Sequence, residues 1–135
     1  MIKIICIGKL KENYLKDAEQ EYLKRLKKYT QIELIELPDS NIDDEKIALE
    51  KEKNQILKYI KPKEYLVTLE IEGNQLSSLA FADKIDKTLI TSSDITFLIG
   101  GSYGIHPSIK EMSNYKLSFS KMTFPHQLFR ILLLE

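Results

Sequence analysis

The stretch Asp94-Ile95-Thr96-Phe97-Leu98-Ile99-Gly100-Gly101-Ser102-Tyr103-Gly104 decides the fold. Its first half is β-branched and almost wholly apolar, which reads as a strand buried on both faces. It runs directly into three glycines, whose missing Cβ lets the backbone turn tightly and approach a ligand closely. The glycine spacing matches neither G-x-G-x-x-G nor G-x-x-x-x-G-K-[ST], so neither dinucleotide binding nor ATP hydrolysis gains support. A turn built of glycine because the backbone needs it there is the competing reading.

Outward from this stretch, strands and helices alternate. Ile2-Lys3-Ile4-Ile5-Cys6-Ile7, stopped by Gly8, is a second strand buried on both faces. Leu15, Ala18, Tyr22, Leu26 and Tyr29 recur every three or four residues and predict a helix over 12–28. A strand at 32–37 ends at Pro38, and turn residues at 39–44 lead into a charged helix over 43–60. That helix carries a thin apolar stripe of Leu49, Ile56, Leu57 and Ile60. Tyr65 to Ile71 is a strand, and Glu72-Gly73-Asn74 reads as a turn. Ser77 or Ser78 caps a helix to about Thr88, with Leu79, Ala82, Ile85 and Leu89 expected inward. Pro107 opens a short helix to Ser113, a strand follows at 116–120, and an apolar helix starts at Pro125. Such alternation predicts an α/β fold, a parallel sheet with helices on both faces, with ligands beyond the carboxyl ends of its strands.

Composition narrows the class. The 135 residues are expected to form a single domain over 1–135, 43% hydrophobic and 30% charged, which excludes disordered and fibrous readings. Twenty basic residues balance twenty acidic ones, which argues against a strongly basic nucleic-acid coat. The charge is uneven, with eight bases against four acids in residues 1–30. Cys6 is the only cysteine, so a disulfide framework and a cysteine zinc site are excluded and a buried, inert thiol is expected. No apolar run approaches the roughly 18 residues of a membrane span, and the amino terminus lacks a signal-peptide layout. The expected location is cytoplasmic, without a membrane partner.

The chemistry-bearing candidates are few. His106 and His126 are the only histidines, twenty residues apart, and each adjoins a proline at an expected helix start. They make a poor metal case, so no metal is expected, and capping is the favoured role. No G-x-S-x-G elbow exists to carry a serine triad. Glu70 and Glu72 at the third strand's end are explained by solvent exposure. Ser118-Phe119-Ser120-Lys121-Met122-Thr123-Phe124-Pro125-His126-Gln127 mixes hydroxyls, aromatics, a methionine and a lysine before a helix. It offers peptide groups for a polar edge and apolar side chains for a flat ring. A core-capping loop is its bland counterpart, with Met122 as core filler.

The glycine stretch 97–104, the run Leu117 to Leu128 and the ending Arg130-Ile131-Leu132-Leu133-Leu134-Glu135 together resemble one family. It is the large-subunit ribosomal RNA pseudouridine N3-methyltransferases of the SPOUT class. Gly8-Lys9, Glu21-Tyr22 and Ile35-Glu36-Leu37-Pro38 fit as well, so the resemblance covers nearly the whole chain.

The resemblance implies an α/β/α SPOUT fold with a carboxyl-terminal trefoil knot, a homodimer and S-adenosylmethionine as cofactor. Cofactor contacts carried over by position fall at Leu69, Gly100, Gly101, Phe119, Ser120, Lys121, Met122, Thr123 and Phe124. The catalytic group stays unassigned. The implied reaction is metal-free transfer of a methyl group to a ring nitrogen of ribosomal RNA, with the assembled ribosome as partner. Lys24, Arg25, Lys27 and Lys28 are the candidates for that contact. The family also carries a tail rich in Tyr, Arg and His after the last helix, whereas this sequence ends at Glu135. The expectation is therefore an incomplete knot and impaired activity, with a non-catalytic RNA-binding remnant or a transfer-RNA methyltransferase as alternatives.

Overall fold

The computed structural model describes residues 1–40 and 42–135. Asn41, within the turn expected at 39–44, and the side chain of His126 lie outside the described residues. The elements run β1 (Ile2–Ile7), α1 (Asn13–Leu26), β2 (Ile32–Leu37), α2 (Glu45–Leu57) and β3 (Tyr65–Gln75). They continue α3 (Ser78–Thr91), β4 (Ile95–Ile99), α4 (Pro107–Met112), β5 (Tyr115–Ser118) and α5 (His126–Leu134). The strands form one parallel sheet in the order β2-β1-β4-β3-β5. The chain thus has the α/β architecture expected from its alternation.

Because side chains alternate across a strand, the sheet divides the core in two. Ile2, Ile4, Cys6, Phe97 and Leu117 face one way and meet Tyr22 of α1, Phe81 of α3 and Phe129 of α5. Ile5, Ile7 and Leu98 face the other way and meet Ile56 of α2 and Ile109 of α4. Ile5 lies opposite Leu98 in the β1–β4 pair, and both are fully buried. Burying such a side chain is worth about 1.5–3 kcal/mol. Among the described residues no helix is long and apolar enough to cross a membrane.

Local signals account for most boundaries. Asp44 caps α2 by accepting from the Ile47 amide, and Ser77, one of the two serines considered, caps α3 through the Ala80 amide. His106 caps α4 through Nδ1, with Pro107 at the first turn, so this histidine has the capping role expected of it. Cys6 is buried, and burial pushes its thiol up to about 12.

Four expectations are corrected. Glu72-Gly73-Asn74 does not end β3; the strand leaves β5 after Leu69 and rejoins it at Asn74, both residues pairing with Leu117. On α3, Leu79 is 85% exposed and Ala82 is exposed, while Phe81, Ile85 and Leu89 pack inward. Tyr29 lies beyond the end of α1 and is 83% exposed. Met122 is no core filler, being 74% exposed. Smaller shifts shorten the helices expected at 12–28 and 43–60 and move the last strand to 115–118.

Candidate functional site

A cavity of about 700 Å³ opens at the carboxyl edge of the sheet, beyond β3, β4 and β5. That volume lies within the roughly 300–1,000 Å³ of small-molecule sites, and the position is where ligands of doubly wound sheets bind. Three stretches line it: Leu69 to Glu72 where β3 departs from β5, Ile99 to Ile105 after β4, and the loop after β5. Of the positions singled out in the sequence, Leu69, Gly100 and Gly101 line the cavity, as do Phe119, Ser120, Met122, Thr123 and Phe124. Lys121 is exposed and does not line it.

The glycine loop closes on itself. The Gly104 amide donates to the Gly101 carbonyl at 3.0 Å, and Gly104 has φ +81°. A Cβ on Gly100 would lie 2.5 Å from the Gly104 carbonyl oxygen, and one on Gly101 would lie 2.9 Å from Ile7 Cγ2. The missing side chains at 100 and 101 therefore serve the loop's own packing, and the backbone so positioned forms the cavity wall. Tyr103 ties the loop to the segment before α2, its hydroxyl donating to the Ile42 carbonyl at 3.2 Å.

The opposite wall comes from the loop after β5. Ser118 Oγ donates to the Ile71 carbonyl at 2.8 Å, tying that loop to the β3 excursion. Phe119 and Phe124 gather around Phe129 of α5, with ring centroids 4.8 and 6.3 Å away. Phe129 also lines the cavity and was not foreseen as a site residue.

Glu70 corrects the reading of that carboxylate as simply solvent-exposed. Its side chain is 13% exposed; Oε2 accepts from the buried Thr68 hydroxyl at 2.6 Å, and Oε1 lies 3.8 Å from Lys110 Nζ. Both Glu70 and Lys110 line the cavity.

Behind the wall, α5 is fastened to the β1 end of the sheet by Arg130, only 2% exposed. Its guanidinium donates to the Gly8 carbonyl at 2.9 Å, to Glu19 at 3.1 Å and to Glu36. Gln127 adds a second tether, accepting from the Lys11 amide at 3.1 Å. Burial raises the pKa of Glu19, and Arg130 acts against that rise without cancelling it. The loop at 119–125 is thus strung between β5 and a helix anchored by a buried charged cluster.

Known proteins are similar to this sequence over nearly all of its length. The Ribosomal RNA large subunit methyltransferase H of Caldicellulosiruptor saccharolyticus is 47% identical over 100% of this chain and 90% of its own length. Proteins of the same name from Clostridium botulinum and Streptococcus uberis are 47% and 49% identical, each over 99% of this chain and 89% of the relative. The family model described as "Predicted SPOUT methyltransferase" matches residues 1–135. With its parallel sheet and the cavity at the sheet's carboxyl edge, the chain belongs to the SPOUT methyltransferase family.

Proposed function

We propose that the chain transfers a methyl group from S-adenosylmethionine to N3 of a pseudouridine in large-subunit ribosomal RNA. The observation that carries the proposal is the shared cavity onto which the β3 excursion, the glycine loop and the loop after β5 all open. The names of the relatives support ribosomal RNA as the substrate.

The residues present fit the cofactor. Phe119, Phe124 and Phe129 offer apolar ring faces to a purine, and the surrounding peptide groups can read its polar edge. Leu69, Gly100, Gly101, Phe119, Ser120, Met122, Thr123 and Phe124, which line the cavity, are the contacts of this reading. When bound, S-adenosylmethionine supplies an electrophilic methyl group on a sulfonium, so no protein nucleophile is required. The chain's own contribution is positional: the self-closed glycine loop and the loop leading into anchored α5 are two fixed walls that align the reactants.

The same reading includes the trefoil knot, a homodimer, a cytoplasmic location and a single domain over 1–135. Leu128 and Leu132 are 39% and 38% exposed one helical turn apart on α5, an apolar strip that supports pairing with a second copy. Lys24, Lys27 and Lys28 are exposed at the end of α1 and suit contact with ribosomal phosphates. Arg25 is there too, paired with Glu21 at 3.2 Å.

Incubation with methyl-labelled S-adenosylmethionine and either large ribosomal subunits, free ribosomal RNA or transfer RNA tests the reading. Nuclease digestion and mass spectrometry then locate the label. The expected product is N3-methylpseudouridine from the ribosomal subunit; label confined to transfer RNA, or none anywhere, overturns the proposal.

A further inference from the structure

Charge in the cavity is concentrated at one place. Among the described lining residues the carboxylates and amines are Glu70, Glu72 and Lys110, and Glu72 is exposed while the other two face each other. The Glu70 carboxylate is held from behind, its Oε2 bonded at 2.6 Å to Thr68 Oγ1, which lies 2.8 Å from the Ser113 hydroxyl. Its Oε1 faces Lys110 Nζ at 3.8 Å, beyond hydrogen-bond reach. Among the described residues Lys110 Nζ has no hydrogen-bond partner, and its side chain is 43% exposed. Two opposite full charges thus stand side by side on a cavity wall, one rigidly supported, each with bonding capacity unused. Pairs this open contribute little to stability, so separating them for a ligand costs little.

A ligand that satisfies both groups carries a cation and an anion a short distance apart, which is the α-ammonium and α-carboxylate of an amino acid. We propose that Glu70 and Lys110 form a clamp for the zwitterionic amino-acid end of the ligand. The ammonium donates to Glu70 Oε1, and the carboxylate accepts from Lys110. The aromatic wall of Phe119, Phe124 and Phe129 supplies the contrasting apolar surface for the rest of the molecule. This inference rests on the cofactor reading above and deepens it by naming the groups that distinguish an amino-acid nucleoside from a plain one. Thr68 is a positioning residue in this arrangement, because it acts through Glu70.

Calorimetric titration with two probes tests the clamp. S-adenosylhomocysteine has the zwitterionic end; methylthioadenosine keeps the nucleoside and sulfur but lacks that end. Glu70→Gln, which can still accept from Thr68, and Lys110→Met should each weaken S-adenosylhomocysteine about ten- to hundred-fold, as loss of a charge-assisted hydrogen bond does. Methylthioadenosine affinity should stay within about twofold, and Lys110→Arg should retain most of the S-adenosylhomocysteine affinity. Equal weakening of both probes overturns the clamp in favour of a contact with the shared nucleoside. An unchanged S-adenosylhomocysteine affinity in the variants also overturns it. If the unaltered protein binds neither probe, it is the cofactor reading itself that fails, and the clamp with it.

Discussion

The two edges of the sheet treat the same kind of ion pair in opposite ways. At the amino edge, Lys3 on β1 meets Glu64, just before β3, at 2.6 Å, with side chains 11% and 3% exposed. Lys3 also donates to the Tyr59 carbonyl at 2.6 Å, and Thr96 on β4 donates to the other oxygen of Glu64 at 2.5 Å. At the carboxyl edge, Glu70 and Lys110 stand 3.8 Å apart, facing a cavity. The first pair spends its bonding capacity within itself, on the Tyr59 carbonyl and on the Thr96 hydroxyl, and so belongs to the scaffold. The second leaves capacity over, which suits a group that meets something from outside. Hydrogen-bond saturation separates the two roles better than charge or residue type does.

The largest expected effect falls on the closed pair. Lys3→Met leaves Glu64 buried and uncompensated, which costs about 3–5 kcal/mol in comparable pairs. Denaturant unfolding followed by circular dichroism measures this. The double variant Lys3→Met/Glu64→Gln should recover much of the loss, since a neutral amide can still accept from Thr96. A single-variant loss below about 1 kcal/mol, typical of an exposed pair, would erase the contrast between the edges.

Acidification should reveal the same pair next. Burial opposes charge on Glu64, but hydrogen bonds from Lys3 and Thr96 outweigh it and hold its pKa below the 4.5 of an ordinary glutamate. A carboxyl with a lowered folded pKa contributes stability that is present above 4.5 and lost as pH falls through the folded value. Glu19 and Glu52 work in the opposite sense. Burial raises both, so acidification through their raised values, down to 4.5, favours the folded state. Stability measured against pH should therefore hold or rise slightly in mild acid and then fall below about 4.5. Glu64→Gln should remove part of that final fall. An identical acid limb in the variant would mean that other carboxylates carry it.

What the sequence made legible follows the range of the interactions concerned. β1, β2 and β4 could be bounded within about a residue, because a β-branched run meets glycine or proline within the same segment. The glycine loop was legible for the same reason, whereas the 119–124 positions came from the family resemblance and were overlapped by the strand expected at 116–120. The far end of β3 was not, because local turn chemistry at Glu72-Gly73-Asn74 is overruled by pairing with β5. There a Cβ on Gly73 would come within 2.7 Å of the Lys116 carbonyl oxygen, and Asn74 Nδ2 reaches that oxygen at 3.4 Å. The inward face of α3 was misjudged because Leu79 and Phe81 are both apolar, and only the sheet decides which of them meets Phe97, as Phe81 does. Arg130 drew no reading of its own from the sequence beyond its place in the closing run 130–135. Its partners Gly8, Glu19 and Glu36 lie 122, 111 and 94 residues away, beyond any local pattern. Glu70 was read as solvent-exposed and Lys110 was not singled out, since the two lie on separate elements and meet only in the folded chain.

The smallest expected effect is the sharpest test of the contrast. Lys110→Met removes a full charge from the cavity wall, yet its partner Glu70 keeps the Thr68 hydrogen bond, and the lysine was 43% exposed. Glu70 lines the cavity, so its carboxylate is not sealed in the core when Lys110 is removed. Stability without ligand should shift by no more than about 0.5 kcal/mol, the scale of an exposed pair. The same denaturant experiment as for Lys3→Met gives the comparison directly, one lysine-to-methionine change at each edge. A loss at Lys110 approaching that at Lys3 would make the carboxyl-edge pair a structural brace. The free bonding capacity that suits it to a ligand would then be incidental.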